Sequence, residues 1–552
     1  MNTLKEQTPE KIHDVIGIGA GVAGIYQIKK LIDNGFDAIL LEANEDLGGT
    51  WYKNRYPGCR FDSESYSYGY SFSRELVNEW HWKEQFSGQP ENLKYLNYVV
   101  DKFDLKQHMR FKAAVDTMSW DESERVWNLL LQDGTAMAAR IVITCVGVLS
   151  APFYPSIDGI DKFKGRSFHS FDWPKEPLDL SKSRVGIIGT GATGIQIIAE
   201  IADKVGELTV FQRHPNWSTP LNNAPISESE MDDIRANYDN ILATCEKSQG
   251  GFVHLPDRRG FDAVTQEERT ELWDELYGRS GFALLLANFP ETFLESDANK
   301  ALSNYVADRI RQRVDDPALA EKLIPKDHGF GMKRLPLETK YFEAYNRDNV
   351  GLVDISETPI TTVTAEGIQT SAQHHDLDVI IYATGFHAIT GGLNNIEIQG
   401  TNGSLKEKWQ AQTSTYLGVL NHGFPNMLMV AGPQSVSGST NYPRSIEAGV
   451  NWITDLLLHA RDSNFTRLEA KEEAENQWCD TVVKAQKRMP FSNIRSWFTG
   501  YAPNINGADR SNEESEDDGK VGRYNAFWGG APKYRGYLDE VKNDQYPTLH
   551  LD

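Results

Sequence analysis

The 552-residue chain is poor in cysteine: Cys59, Cys145, Cys245 and Cys479 lie far apart, with no CxxC and no His–Cys cluster at metal-binding spacing. A disulfide framework, a dithiol redox centre and a structural zinc are thereby excluded as organising features. The chain also lacks a surplus of cations, since 56 Lys and Arg stand against 78 Asp and Glu for a formal net charge of −22. That leaves no electrostatic footprint for nucleic acid or for an anionic membrane surface. No apolar run reaches the length needed to cross a bilayer, and the opening MNTLKEQTPEKIHD lacks the basic-then-apolar order of a secretory signal. The expectation is a soluble cytoplasmic protein, a monomer or weak homo-oligomer, with chain enough for roughly two to four domains.

What the chain does have is glycine in a particular order, twice. Residues 14–24 read DVIGIGAGVAG, an apolar run that predicts a buried strand, then Gly19-x-Gly21-x-x-Gly24, then a helical pattern through Ile25, Ile28 and Leu31 to Gly35. In such a loop the first glycine makes the tight turn, the second lets the backbone approach a pyrophosphate, and the third lets helix and strand pack closely. The next predicted strand, DAILLEA, ends at Glu42, where a carboxylate accepts from ribose hydroxyls. The pattern returns in RVGIIGTGATGIQ as Gly189-Thr190-Gly191-x-x-Gly194, so two dinucleotides are expected. At Glu42's offset from its third glycine the second unit has Gln212, followed by Arg213. Losing the carboxylate and gaining a cation favours NADP over NAD, through a charge-assisted contact to the 2′-phosphate. The other reading makes Arg213 a solvated charge at a strand end.

Each half closes alike: 125–147 and 359–385 both read as two β-rich runs around a glycine turn, followed by an apolar strand ending in glycine. Between them, Leu272, Leu276, Leu302, Tyr305, Val306 and Ile310 recur at three-and-four spacing and predict the core faces of an inserted helical subdomain. The expected architecture is α/β, with two Rossmann-like dinucleotide-binding domains, for FAD and NADP, and a helical insertion. Its parts are 1–149 (FAD domain, first part), 150–220 (NADP domain, first part), 221–327 (insertion), 328–385 (NADP domain, second part) and 386–552 (FAD domain, second part, with a C-terminal loop region). A hydride passing from NADPH to FAD follows from two such loops on one chain, and with no paired cysteines oxygen is the next candidate acceptor.

Two further stretches carry a resemblance. GTWYKNRYPGCRFD, from Gly49 and Trp51 to Asp62, and FKGRSFHSFDWP, with Phe163, Gly165, His169, Trp173 and Pro174, match the GxWxxxxYPGxxxD segment and the FxGxxxHxxxWP fingerprint of type I Baeyer-Villiger monooxygenases. The likeness runs over nearly the whole chain. It implies an enzyme that uses FAD, NADPH and O2 to insert one oxygen beside a ketone carbonyl, through a flavin C4a-peroxide, to give an ester or lactone. It implies Arg334 as the active-site arginine, Asp62 as the acid that holds it, and Lys333 as a second cation for the NADP 2′-phosphate. It places His169 in the linker between the domains as an orienting residue. Trp497 resembles a tryptophan on a C-terminal loop that closes over NADP. Read without the resemblance, Arg334 and Asp62 are surface ion-pair residues, His169 is a hydrogen-bonded structural residue, and Trp497 is an aromatic of the core.

Two segments depart from the family pattern: GPQSVSGSTNYPRSIE (432–447), and the acidic run 508–523, which composition predicts to be a solvated loop. The resemblance in 310–334 leans toward sizeable cyclic, terpenoid-like ketones. Alternative functions are a heteroatom-oxygenating flavin monooxygenase, which needs no active-site arginine, and an NADPH oxidase or sensor that releases peroxide.

Overall fold

The computed structural model describes residues 9, 11–294, 296–410, 412–436, 440–494, 496–499 and 526–552. The acidic run 508–523 lies outside the described residues. Two sheets organise the chain, one mixed and one wholly parallel. The strand Ile12–Ile18 is central to the first, pairing in parallel with Ala38–Leu41 on one side and Ala136–Thr144 on the other. Its residues Val15 and Ile16 have no exposed surface, as a strand covered on both faces requires. The chain returns to this nine-stranded sheet late, at Glu397–Gly400, Gly403–Ser404 and Met427–Met429.

The second sheet has five strands, all parallel, in the order Val350–Asp354, Glu207–Gln212, Arg184–Ile188, Val379–Tyr382, Arg166–His169. Its helix Ala192–Ile201 buries Ile195, Ile197, Ile198 and Ile201, each such side chain stabilising by about 1.5–3 kcal/mol. The architecture is therefore α/β with two Rossmann-like units, as the glycine loops predict.

Three details differ from the sequence reading. In the first closing segment the second β-run and the apolar strand are one continuous strand, Ala136–Thr144. Its first half pairs antiparallel with Val126–Leu131 and its second half parallel with Ile12–Ile18, so no break is needed. In the second segment three short strands, Ile360–Val363, Gly367–Thr370 and His374–Asp376, form a separate sheet. The fingerprint stretch is also more than a connector: Arg166–His169 forms the edge strand of the second sheet, because Val379–Tyr382 offers it an unpaired side.

The segment 221–327 is largely helical. The helix Gln266–Gly278 starts from a Thr265–Glu268 capping box and buries Trp273 and Leu276, with Leu272 half-buried. The helix Asp297–Arg313 buries Leu302, Val306 and Ile310 and leaves Tyr305 half-buried, its hydroxyl donating to Asp274 at 2.7 Å. Among the described residues no helix is long and apolar enough to cross a membrane.

Candidate active site

The two glycine loops are built alike. Gly19 and Gly189 turn out of their strands with φ of +104° and +108°. A Cβ on Gly24 or Gly194 would lie 1.9 or 2.2 Å from the carbonyl of Gly19 or Gly189, so helix and strand touch there. The middle glycines differ. Gly21 faces Gly49, where a Cβ on Gly49 would come within 2.9 Å of the Gly21 Cα, while a Cβ on Gly191 would meet nothing within 4 Å. Gly49 thus brings the GTW segment against the first loop, and the second loop keeps open space where a pyrophosphate has to approach.

Glu42 is buried at the end of Ala38–Leu41. One carboxylate oxygen accepts from the Ala20 N–H at 2.7 Å, and the other from the Asn44 N–H at 2.9 Å and its side-chain amide at 2.6 Å. An ionised carboxylate has about four acceptor positions, so capacity remains for a ribose hydroxyl. In the second unit the buried Gln212 donates to the Lys322 carbonyl at 2.7 Å, while Arg213 is exposed. The Thr190 hydroxyl donates to the His214 carbonyl at 3.1 Å. Burial, then the Arg213 charge, lowers the His214 pKa; Lys333 lowers it further and Asp327 opposes both. Arg213 and Lys333 therefore act on the same spot at the end of Glu207–Gln212. Lys333 is held by Asp327 at 3.1 Å, and Asp327 also bonds His328 at 2.6 Å. These residues fit FAD at the first loop and a 2′-phosphorylated nucleotide at the second.

An ion pair follows the GTW segment. The segment Tyr56–Arg60 docks on the second unit's helix: the Tyr56 hydroxyl donates to Gln196 at 3.0 Å, and Gln196 donates to the Arg60 carbonyl at 3.1 Å. A Cβ on Gly58 would stand 2.9 Å from the Gln196 carbonyl, which explains the glycine of the YPG triplet. Two residues beyond Arg60, Asp62 is buried and meets the Arg334 guanidinium at 2.6 Å. Burial raises the Asp62 pKa, and the Arg334 charge and hydrogen bond oppose the rise. Its second oxygen is buried with no partner among the described residues.

Arg334 is clamped along its backbone. Asn216 donates to its carbonyl at 3.0 Å, Trp217 donates to the His328 carbonyl at 3.0 Å, and the buried Asn299 donates to the Phe330 carbonyl at 2.9 Å. The guanidinium also bonds the Leu335 carbonyl and stands 5.2 Å from the centroid of the Phe282 ring. It keeps about a third of its side-chain surface exposed, so a fixed cation faces open space.

His169 has no exposed surface. Its Nδ1 accepts from the Phe171 N–H at 3.1 Å, which leaves Nε2 to donate to the Gly385 carbonyl at 3.0 Å. The neutral ring thus ties the edge strand to the loop after Val379–Tyr382, and burial pushes its pKa down to about 4. Trp173 is buried edge-on to Phe168, its carbonyl accepting from Arg55 at 3.4 Å, and Pro174 is half-buried beside it. Phe163 packs into the cluster under the second sheet, and a Cβ on Gly165 would lie 2.5 Å from both the Asp378 carbonyl and the Phe163 ring. Trp51 is buried and donates to the Tyr68 hydroxyl at 3.0 Å.

Trp497 lies in an aromatic cluster with Phe498, which also contacts Phe491 and Trp528. No hydrogen bond, ion pair or ring contact joins it to Arg334, Lys333 or Arg213 among the described residues. Phe282, Asn216, Asn299 and Asp327 support the site and escape sequence reasoning, because none belongs to a local pattern.

Comparison with known proteins agrees with this geometry. Residues 12–222 match the flavin-binding monooxygenase-like family. The chain is 43% identical to the 2-oxo-Δ3-4,5,5-trimethylcyclopentenylacetyl-CoA monooxygenase of Pseudomonas putida, over 98% of each chain. It is 35% identical to the cyclohexanone 1,2-monooxygenase of an Acinetobacter species, over 98% of this chain and 96% of that one. A crystal structure of OTEMO with FAD and NADP superposes with a TM-score of 0.92, at 41% identity, covering 99% of this chain and all of the other. The chain belongs to the Baeyer-Villiger monooxygenases of the flavin-binding monooxygenase-like family, as an FAD- and NADPH-dependent oxygenase.

Proposed function

We propose that this enzyme inserts one atom of O2 beside the carbonyl of a sizeable cyclic ketone, giving a lactone, with Arg334 as the catalytic residue and Asp62 as the residue that positions it. The observation that carries this reading is the guanidinium fixed between Asp62 and Phe282 with part of its surface free. Bound FAD supplies the chemistry of taking hydride from NADPH and activating O2. Arg334 stabilises the negative charge that builds on oxygen as the carbonyl carbon is attacked, and a guanidinium suits this because it stays charged and presents several donors. Asp62 keeps that charge from swinging away. An oxygenase acting on sulfur or nitrogen has no such demand.

The first glycine loop, Glu42, Gly49 and Trp51 are proposed to hold FAD, and Thr190, Gly191, Arg213 and Lys333 to hold NADPH, with Trp497 closing over it. His169 is proposed to orient the edge strand between the two units. The five-part division into 1–149, 150–220, 221–327, 328–385 and 386–552 is part of the same proposal, as is a cytoplasmic monomer or weak homo-oligomer. The relatives' names, one a substituted cyclopentenyl compound and one cyclohexanone, support a cyclic ketone.

The test is Arg334→Ala. NADPH still reduces the bound FAD, and lactone formation falls on the order of 10²–10³-fold or more. Unchanged lactone yield from this variant removes Arg334 from the mechanism.

A further inference from the structure

A ladder of redox-active rings leads away from Trp51. Trp51 donates to the Tyr68 hydroxyl at 3.0 Å with ring centroids 5.8 Å apart, and Trp51, Tyr68, Tyr70 and Tyr95 bound one small space. Tyr70 and Tyr95 lie 6.0 Å apart, Tyr95 and Trp82 4.7 Å, Tyr95 and Trp80 5.2 Å, and Trp80 and Tyr98 5.2 Å. The inner end sits beside Gly49, which faces the first glycine loop. The outer end, Tyr98, is half-buried and donates its hydroxyl to Glu79, which Lys102 also holds at 2.9 Å.

Packing alone explains a cluster of rings, and two features go beyond it. The first is Trp80, whose Nε1–H is buried with no acceptor among the described residues. Leaving that donor unpaired costs stability that a phenylalanine would not cost, so packing alone does not account for an indole at this position. The second is where protons can go. A phenol oxidised by one electron has to lose its proton. The Tyr70 hydroxyl donates to the Val22 carbonyl, which is no base, and the Tyr95 oxygen accepts from the Tyr70 N–H. No carboxylate is hydrogen-bonded to Tyr68, Tyr70 or Tyr95 among the described residues. Tyr98 alone in the ladder has one, and Glu79 is kept ionised by its bonds to Tyr98 and Lys102.

We propose that Trp51, Tyr68, Tyr95, Trp82, Trp80 and Tyr98 form a one-electron relay between the flavin pocket and the surface, with Tyr98–Glu79 as its proton-coupled terminus. An oxygen-derived one-electron oxidant of the hydroxyl-radical class, formed when oxygen reduction goes astray, takes an electron from Trp51 and is itself reduced to hydroxide, which takes up a solvent proton to give water. The vacancy passes outward through the rings to Tyr98, which becomes a neutral radical as its proton moves to Glu79. A soluble thiolate then returns one electron and Glu79 returns the proton, restoring the phenol, and two of the resulting thiyl radicals combine to a disulfide. The relay spares the residues around Arg334 from oxidation.

The test uses the oxidised FAD holoenzyme without oxygen, ketone or NADPH. Blue light makes the bound flavin the oxidant, and transient absorption and EPR follow the radicals. The wild type is expected to give a tyrosyl radical that disappears on adding thiol. Tyr98→Phe is expected to lose the tyrosyl signal and leave a tryptophanyl one. Trp80→Phe, which removes the ring touching both Tyr95 and Tyr98, is expected to lose the tyrosyl signal as well. Trp120→Phe, in a pair with Trp127 off the ladder, leaves it intact. Should Trp80→Phe fail to retain FAD, the surface variant Tyr98→Phe decides. Absence of a tyrosyl radical in the wild type, or its persistence in Tyr98→Phe, overturns the proposal without touching the assignment of Arg334.

Discussion

Arg334 and Asp62 stand 272 positions apart in sequence and 2.6 Å apart in space, the carboxylate buried and the guanidinium partly open. The two halves of the pair carry opposite stability consequences. Burial holds the Asp62 pKa above its usual value, so the folded state binds more protons than the unfolded one, and stability falls as pH rises through that window. Asp62→Asn is therefore expected to keep or raise the melting temperature at neutral pH while lowering lactone formation. Arg334→Ala leaves the buried carboxylate unpaired and is expected to cost about 2 kcal/mol at neutral pH, less than a fully buried pair because the arginine is partly exposed. That cost shrinks as pH falls and Asp62 takes up a proton. Melting curves of both variants across pH check the pair.

His169 gives a second pH dependence of opposite sign. Its pKa is pushed down to about 4 from an ordinary value near 6.5, so between those limits the unfolded chain binds more protons. The contribution is complete above about pH 6.5 and is lost as pH falls through about 4. Urea midpoints of the wild type are expected to drop across that window. His169→Gln, which does not titrate there, is expected to drop less.

The middle and third glycines of the second loop separate binding from folding. Gly191→Ala places a methyl in open space and Gly194→Ala places one 2.2 Å from a carbonyl. Gly191→Ala is expected to leave the melting temperature and FAD content unchanged while raising the KM for NADPH on the order of tenfold. Gly194→Ala is expected to lose about 2 kcal/mol or more of stability.

Arg213 and Lys333 are read as the pair that meets the 2′-phosphate. Replacing either with Ala is expected to lower kcat/KM for NADPH about tenfold while leaving kcat/KM for NADH nearly unchanged. No loss with NADPH would make Arg213 a solvated strand-end charge after all, and an equal loss with both cofactors would remove the 2′-phosphate as the group these cations meet.

Local patterns carried much of the fold into view. The two loops, their helices and Glu42 are legible because strand, turn, helix and acid fall within one short stretch. The insertion's helices are legible from Leu276, Leu302, Val306 and Ile310, which recur at helical spacing and are buried. The candidate active site is not legible in that way. Nothing local distinguishes Arg334 from the other charged residues of the chain, and its partner comes from the other unit, so only the family resemblance joins them. Phe282 and Asn216 reach Arg334 through chain reversals that no period records. The edge strand Arg166–His169 is hidden because a four-residue stretch with polar neighbours has no alternation to read. Its pairing is decided by the open side of Val379–Tyr382.

The most direct measurement is mass spectrometry of products formed by the purified FAD enzyme with NADPH and 18O2, offered linear, cyclic and bicyclic ketones and one thioether. The expected product is a lactone from a cyclic ketone, carrying a single labelled oxygen beside the former carbonyl. Label found only on sulfur, or only in hydrogen peroxide while NADPH is consumed, would contradict it.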